Sequence, residues 1–190
     1  MKITVIGHGN VGGTLARRWI AKGHEVTIGA RKFETDRLKN LCLLAPELQV
    51  TSIEMAVLSA DVILIATPAQ VVLELTDYLE LNDDVIIIDA TNTLGKKPGK
   101  YEHGLAAIKA RTKHENVVKC FNTTGFENLS NPNYHGLVAD MFVAGDSKRG
   151  KGIASRLAHA AGFEVCHDFG GDSEVALLEQ MAMCWINLAL

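Results

Sequence analysis

The sequence predicts an α/β fold built on a doubly wound parallel sheet. Short apolar segments alternate with segments of helical periodicity along the 190 residues. Two predicted strands, over residues 61–66 and 85–88, are continuously apolar except for Asp61. Such runs are typical of parallel strands covered on both faces. A glycine-rich turn also separates the first strand from the first helix. These observations indicate consecutive βαβ units in a single domain spanning residues 1–190.

The elements follow in order from these patterns. Strands are predicted over residues 1–6, 25–28, 48–51, 61–66, 85–88, 116–121, 138–145 and 163–166. Helices are predicted over residues 15–20, 35–44, 53–59, 69–79, 105–111, 148–161 and about 173–190. Helix caps are expected at Ser52, at Thr67 and at either Asp146 or Ser147. The last strand–helix–strand unit is expected to join the same sheet as an additional βαβ unit.

The turn from Gly7 to Gly12 has the pattern GxGxxG and stands directly between a strand and a helix. Gly7 is expected to make a tight turn, Gly9 to let a pyrophosphate approach the backbone, and Gly12 to let the helix lie close to the strand. The helix start then offers free amides and the positive end of its dipole to phosphates. The sequence therefore predicts a dinucleotide cradle, and the alternative is a glycine turn without a ligand.

The loop over residues 29–32 follows the second strand, where this fold contacts the adenosine ribose. A carboxylate at this position binds the 2′-hydroxyl of NAD, whereas cations accept the 2′-phosphate of NADP. The loop contains Arg31 and Lys32 but no carboxylate. The pattern favours NADP(H), with a merely solvated pair of cations as the alternative.

Ligands of open parallel sheets bind outside the carboxyl ends of the strands, where the loops meet at one rim. The side chains of these loops are mostly small, hydroxyl or amide groups, which position a cofactor but do not transfer protons. No catalytic residue is therefore assigned; His8 is either a donor near the cofactor or an exposed turn residue, and Asp89 either an acid or, more in keeping with its position, a capping or loop-ordering residue. The residues predicted to bind the cofactor are Gly7, His8, Gly9, Asn10, Val11, Gly12, Ala30, Arg31, Lys32, Ala66, Thr67, Pro68, Ala90, Asn92, Asn122 and Thr123.

Composition excludes several other classes. A net charge of −3 gives no basic field for nucleic acid or an anionic membrane. The four cysteines are far apart and the histidines lack metal spacing, so no metal site is predicted. Without a leader or a long apolar span, a cytoplasmic location is expected. The predicted C-terminal helix, about 173–190, is so apolar that it must be covered nearly all round, so a homodimer contact is expected there, together with a role in walling a substrate pocket.

With these motifs in place, the chain resembles the NADP oxidoreductase family typified by the coenzyme F420-dependent NADP reductases, to which the dinucleotide domain of the STEAP ferric reductases is related. The resemblance rests on GHGNVG, IGARK, ATP, DATN and the segment KCFNT at residues 119–123. It implies a Rossmann fold with Arg31 on the 2′-phosphate, Asn122 and Thr123 near the nicotinamide, and a dimer built partly through the last helix. It also implies a deazaflavin (F420) or flavin stacked on the nicotinamide for direct hydride exchange. Because the glycine turn is one residue shorter than the family's, a quinone or a small carbonyl compound stays open as the small-molecule acceptor.

Two functional hypotheses follow. The first is an NADP(H)-dependent oxidoreductase that transfers a hydride between NADPH and a flavin-like acceptor, because hydride transfer needs alignment more than acid–base groups. The second is a noncatalytic NADP(H)-sensing or scaffold module that uses the same cradle for regulation. Turnover of NADPH distinguishes the two.

Overall fold

The computed structural model describes residues 1–79 and 81–189, so Leu190, the last residue of the predicted C-terminal helix, lies outside the described residues. The helices are α1 Asn10–Ile20, α2 Asp36–Leu44, α3 Ile53–Val57, α4 Val72–Leu75, α5 Gly104–Thr112, α6 Phe126–Ser130, α7 Lys148–Ala160 and α8 Val175–Ala189. The strands are β1 Lys2–Ile6, β2 Glu25–Ala30, β3 Gln49–Ser52, β4 Val62–Ile65, β5 Ile86–Asp89, β6 Val117–Cys120, β7 Asn133–Tyr134, β8 Leu137–Val138, β9 Met141–Ala144 and β10 Cys166–Asp168.

The main sheet has the strand order β10-β9-β6-β5-β4-β1-β2-β3, and β7 and β8 form a separate hairpin. All neighbours from β3 to β6 are parallel. The chain proceeds in one direction from β1 to β3 and in the other from β4 to β6, so the switch in strand order lies between β1 and β4. The doubly wound α/β fold predicted from the sequence is confirmed, and the switch point marks where such sheets bind ligands.

The additional βαβ unit joins the sheet as predicted, but in the reverse direction. β10 pairs parallel to β9, whereas β9 pairs antiparallel to β6. The connection through α6 and the hairpin stays at the edge where β6 ends, so β9 starts there and runs back along β6. The expectation of a uniformly parallel sheet is therefore wrong for its last two strands.

Local sequence explains most element boundaries. The side chains of Thr35, Ser52 and Ser147 each accept a hydrogen bond from a backbone N–H three residues later, at the starts of α2, α3 and α7. The caps predicted at Ser52 and Ser147 are thus confirmed. Helix α1 buries Leu15 and Trp19, and the Trp19 Nε1–H donates to the Leu157 carbonyl oxygen of α7 at 3.0 Å.

The helix predicted over residues 69–79 is interrupted. It consists of a 3₁₀ turn Ala69–Val71, the short α4, and a second 3₁₀ turn Thr76–Tyr78. The Thr76 hydroxyl donates to the Leu73 carbonyl oxygen at 2.6 Å, a bond that competes with helical pairing. The predicted cap at Thr67 is wrong, because its hydroxyl donates to the carbonyl oxygen of Pro68 instead.

Two apolar clusters cover the two faces of the sheet. One contains Trp19 and Phe121 with α1, α2 and α7, and the other contains Ile63 and Leu178 with α3, α5 and α8. Burial on both faces explains why the central strands are continuously apolar. The last strand begins at Cys166, three residues later than predicted. In residues 1–79 and 81–189, no helix has both the length and the apolar character that a membrane crossing needs.

Candidate functional site

Steric contacts explain two of the three glycines in the turn after β1. Gly7 has a φ of +103°, and a Cβ there would lie 2.4 Å from the Ala66 carbonyl oxygen. A Cβ on Gly12 would lie 1.9 Å from the Gly7 carbonyl oxygen. Strand β1, strand β4 and helix α1 can therefore approach one another only with glycine at these positions.

Gly9 instead leaves space beside the start of α1. A Cβ at Gly9 would meet only the Arg37 Nη1 atom, at 3.5 Å. Among the described residues no side chain caps this helix, and its first turn contains no acidic residue. The amides of Asn10 and Val11 at the helix start are thus available for an anion that approaches over Gly9.

A cavity of about 700 Å³ lies between this turn, the end of β2 and α4. It has the size of a small-molecule site. None of the residues that line it is acidic. They are Ile6, Gly7, His8, Gly9, Gly29, Ala30, Arg31, Lys32, Thr35, Arg37, Ile53, Thr67, Val71 and Leu75.

Three cationic side chains line this cavity. Arg31 and Lys32, both predicted, follow directly on Ala30, where β2 ends two residues later than expected. Arg37, on the first turn of α2, lines the same cavity and was not among the predicted residues. Apolar walls at Ile53, Val71 and Leu75 complete the cavity, so it combines an apolar lining with a cationic end.

His8 is half-buried beside Arg37. Burial, and secondarily the Arg37 charge, lower the pKa of His8 below its usual value. Its Nε2 atom lies 3.4 Å from the Thr35 hydroxyl oxygen. His8 is therefore neutral near pH 7 and contributes a hydrogen-bonding group to the cavity rather than a charge.

Arg31 is held by an acidic partner. Its Nη1 atom lies 3.1 Å from Glu74 Oε2 on α4, with side-chain exposures of 59% and 67%. An exposed pair of this kind contributes only about 0–1 kcal/mol. A more highly charged anion can thus take over the guanidinium at little cost.

The other predicted residues lie along the same rim, at the ends of β4, β5 and β6. Ala66, Thr67 and Pro68 follow β4, and the Ala66 amide donates to the Ile6 carbonyl oxygen at 2.8 Å. After β5 and β6 come two further predicted pairs, which are Ala90 with Asn92 and Asn122 with Thr123. The fold thus brings all the predicted loops to one edge of the sheet.

Asn92 and Asn122 are paired across this rim. Asn92 Nδ2 donates to the Asn122 backbone carbonyl oxygen at 2.7 Å, and Asn122 Nδ2 donates to Asn92 Oδ1 at 3.0 Å. The buried Asn122 Oδ1 has no hydrogen-bond partner among the described residues. A buried acceptor left in this way fits a ligand that brings an N–H, such as a carboxamide.

Phe121 turns the chain into this position. It has a φ of +65°, which is costly for a bulky residue, by about 1–3 kcal/mol. Its ring is fully buried and packs edge-on against Trp19, with 5.7 Å between ring centroids. Packing therefore fixes the strained turn that presents Asn122.

A buried ionic cluster lies beneath the Asn92–Asn122 pair. Lys119 Nζ lies 2.9 Å from Asp89 Oδ2 and 2.6 Å from Glu179 Oε1, and its side chain is 0% exposed. Asp89 Oδ1 accepts from the Thr91 amide at 2.9 Å. Asp89 thus orders the rim loop, which was the favoured interpretation, and its buried ion pair leaves it no access to a substrate.

His103 borders this cluster. Its Nδ1 accepts from the Ala106 amide at 3.1 Å and so caps α5. Burial, followed by the positive charge of Lys119, lowers the pKa of His103, with Asp89 and Glu179 acting in the opposite sense. His103 is therefore a neutral structural residue.

The cluster and Arg37 were missed at the level of sequence, although part of the signal is present. Lys119 stands in an otherwise apolar strand, and Glu179 stands in an apolar helix. Buried charges require partners, so both residues indicate ion pairs, but nothing local indicates that they pair with each other. Arg37 gives no such signal, because charged residues at the start of a surface helix are common.

Comparisons with known proteins agree with this geometry. The sequence profile of a family described as NADP oxidoreductase, coenzyme F420-dependent, matches residues 2–93. That segment runs from β1 to the loop after β5 and includes the glycine turn, Arg31 and Asn92. No curated protein matches the chain.

Solved structures share the fold over nearly all of the chain. A provisionally assigned F420-dependent NADP reductase from Arthrobacter sp. FB24 has a TM-score of 0.84 at 23% identity, with 99% of this chain and 93% of that chain covered. A hypothetical protein from Sinorhizobium meliloti has a TM-score of 0.76 at 21% identity, covering 90% and 85%. An imine reductase from Streptomyces aurantiacus has a TM-score of 0.72 at 13% identity, covering 99% of this chain and 61% of that chain.

The residues present fit an NADP(H) dinucleotide. The open space over Gly9 and the free amides of α1 suit the pyrophosphate, the cationic end of the cavity suits a 2′-phosphate, and the rim ends at an unpaired amide oxygen on Asn122. The family match supports NADP(H) binding and confirms the resemblance that the motifs indicate. In its fold and over residues 2–93, the chain is therefore similar to the coenzyme F420-dependent NADP oxidoreductase family, which indicates an NADP-dependent oxidoreductase of the Rossmann type.

Proposed function

We propose that the protein transfers a hydride between NADPH and a flavin-like acceptor, either deazaflavin F420 or a flavin. The observation that carries the proposal is the cavity that combines the free amides of α1 with Arg31, Lys32 and Arg37. This combination suits a nucleotide with both a pyrophosphate and a 2′-phosphate. The family description supports F420 as the first acceptor to test.

The chain contributes positioning and charge to this reaction. Arg31 binds the 2′-phosphate, with Lys32 and Arg37 adding positive charge, while the amides of α1 hold the pyrophosphate. Asn92 and Asn122 hold the carboxamide end, which fixes the orientation of the ring at the rim. When bound, the nicotinamide supplies the C–H bond that gives up the hydride, so the protein needs to align two rings and exclude water.

The rim offers no strong acid or base, which favours a flat aromatic acceptor over a carbonyl compound. Thr67, Asn92, Asn122 and Thr123 are all neutral. Reduction of a carbonyl or imine to an alcohol or amine needs a proton donor beside the hydride. A reduced flavin ring spreads its charge and depends less on such a donor.

The test is anaerobic stopped-flow measurement of NADPH absorbance with F420, FMN, FAD, a quinone panel and a cyclic imine. We expect single-turnover oxidation with F420 or a flavin. Oxidation with the imine or quinone alone would replace the flavin-like acceptor with that class. Tight NADPH binding without turnover on any acceptor would instead support the noncatalytic NADP(H)-sensing module, and a pull-down for a protein partner would then follow.

We also propose that the chain forms a homodimer through α8. Four large apolar side chains on this helix face solvent, namely Leu177, Met181, Met183 and Leu188. Cys184 on the same helix is exposed as well. Sedimentation of the wild type and of Leu188→Glu tests the proposal, since a dimer that becomes a monomer supports it and an unchanged mass contradicts it.

A cytoplasmic location stays a prediction.

A further inference from the structure

The cluster beneath the rim is unusual because its formal charges do not balance. Lys119 carries one formal positive charge, whereas Asp89 and Glu179 carry two formal negative charges in a site that is almost closed to solvent. A buried excess charge must be compensated by hydrogen-bond donors. The donors that the structure provides come from the rim loop between β5 and α5.

Three groups of this loop point into the cluster. The Thr91 amide donates to Asp89 Oδ1 at 2.9 Å, while the Thr93 amide and hydroxyl donate to Glu179 Oε2 at 3.0 Å and 2.7 Å. Glu179 therefore uses one oxygen for Lys119 and the other for Thr93. Its carboxylate is a bridge between the sheet and the rim loop.

These hydrogen bonds fix the position of Asn92, which lies between Thr91 and Thr93. The Asn92 side chain then forms its hydrogen bonds with Asn122. The preceding residue of α8 contributes to the same arrangement, since the Leu178 carbonyl oxygen lies 3.4 Å from Asn122 Nδ2. The helix thus contacts Asn122 directly and Asn92 only through its neighbour Thr93, although it lies outside the dinucleotide-binding strands.

We propose that Glu179 is a positioning residue for the nicotinamide end of the cofactor, acting through Thr93 and the Asn92–Asn122 pair. The inference rests on the proposed function, because it concerns the same nucleotide. The inference adds that the protein binds the adenosine half of the cofactor independently of α8, whereas it holds the nicotinamide half only when α8 packs against the rim loop. Glu179 is the side chain that joins α8 to this loop.

Glu179→Gln is the sharpest single change. A glutamine has one acceptor oxygen, so its NH₂ group must face either the Lys119 ammonium or the two donors of Thr93. One side of the bridge then breaks with almost no change in volume. Glu174→Gln, at a half-buried position in the 3₁₀ turn before α8, is the matched control.

Fragments of the cofactor separate the two halves of the site. The measurements are calorimetric affinity for 2′,5′-ADP, which lacks the nicotinamide half, affinity for NADPH, and the fluorescence of bound NADPH. For Glu179→Gln we expect 2′,5′-ADP affinity within about twofold of wild type. We expect the extra affinity of NADPH over 2′,5′-ADP, and the fluorescence gain on binding, to fall at least about tenfold. The control is expected to match wild type.

Thr93 offers a second test at a half-exposed position, in case the substitution of the buried Glu179 prevents folding. Thr93→Val removes the hydroxyl's bond to Glu179 but keeps that of the amide, so it is expected to show a smaller selective loss of the same kind, whereas Thr93→Ser is expected to keep wild-type behaviour. Equal losses for 2′,5′-ADP and NADPH, or no loss in either variant, would overturn the inference. If the wild type binds neither compound, the proposed function itself fails and the inference falls with it.

Discussion

Arg31 and Glu74 bridge two elements that both line the cationic cavity, the end of β2 and helix α4, with 3.1 Å between Nη1 and Oε2. Arg31→Ala is expected to weaken NADPH binding about 10- to 100-fold and NADH binding less than about threefold, because only NADPH carries the 2′-phosphate that we propose this guanidinium binds. Calorimetric titration of both nucleotides measures this. Arg149→Ala, which removes another exposed ion pair on α7, is the control. Equal losses for NADPH and NADH would contradict the assigned role of Arg31.

The partner carboxylate gives a prediction of opposite sign. Glu74→Gln removes a negative charge that competes with the 2′-phosphate for Arg31 and repels it. We expect NADPH affinity to rise about three- to tenfold at low salt, with the gain shrinking as salt is added and no gain for NADH. Titrations at two ionic strengths test this. A gain that is the same for both nucleotides would show that Glu74 acts on something other than the phosphate.

Gly12→Ala tests the close approach of α1 to the glycine turn. The new Cβ would lie 1.9 Å from the Gly7 carbonyl oxygen, so the backbone must shift. We expect a loss of about 1–3 kcal/mol or more in the free energy of unfolding, together with weaker nucleotide binding. Gly152→Ala in α7, with no atom within 4 Å of its new Cβ, should instead gain about 0.5–1 kcal/mol. Urea unfolding compares the two, and similar effects would show that the turn is not tight.

His103 predicts how stability depends on pH. Because burial and Lys119 lower its folded-state pKa, the unfolded chain binds the proton more readily than the folded one. The free energy of unfolding should therefore be unaffected by His103 above its unfolded pKa of about 6.5, and should fall below it by up to about 1.4 kcal/mol per pH unit. His103→Asn keeps a capping side chain without a titrating group, and should flatten this part of the profile. An unchanged slope would contradict the assignment.

Lys119→Met leaves Asp89 and Glu179 buried together without a cation. We expect a loss of about 3–5 kcal/mol in the free energy of unfolding, which is typical of a broken buried ion pair. Lys151→Met, which removes the more exposed pair with Asp168, should cost no more than about 1 kcal/mol. Denaturant titration at pH 7 gives both values. A small effect at Lys119 would mean that solvent reaches the cluster.

Features encoded by neighbouring residues were predictable from the sequence. The glycine turn, the caps at Ser52 and Ser147 and the cationic loop at Arg31 each depend on a few consecutive residues and on the strand before or after them. The rim itself was also predictable, since parallel strands bring their carboxyl ends to one edge.

Features that depend on distant parts of the chain were not predictable in the same way. The Lys119–Glu179 pair joins residues 60 positions apart, and Arg37 reaches the cavity only through the way α2 packs. The reversed direction of β9 depends on the path of a hairpin between two strands. Apolar patterning identifies strands but is the same for either direction.

That reversal brings the last helix, α8, to the rim at which we propose that the cofactor and its acceptor bind. Strand β10 runs antiparallel to β1–β6, so it ends on the side of the sheet opposite the rim. There an Asp172 carboxylate oxygen accepts a hydrogen bond from the Asp146 amide. Helix α8 therefore begins on the side opposite the rim and runs toward the rim. Its Glu179 contacts Thr93 there, and the helix continues for about 15 Å beyond Glu179. If β9 and β10 were parallel to the other strands, α8 would run away from the rim instead. For the proposed reaction, we therefore expect substitutions in the last turns of α8 to alter the choice of acceptor while leaving the choice between NADPH and NADH unchanged.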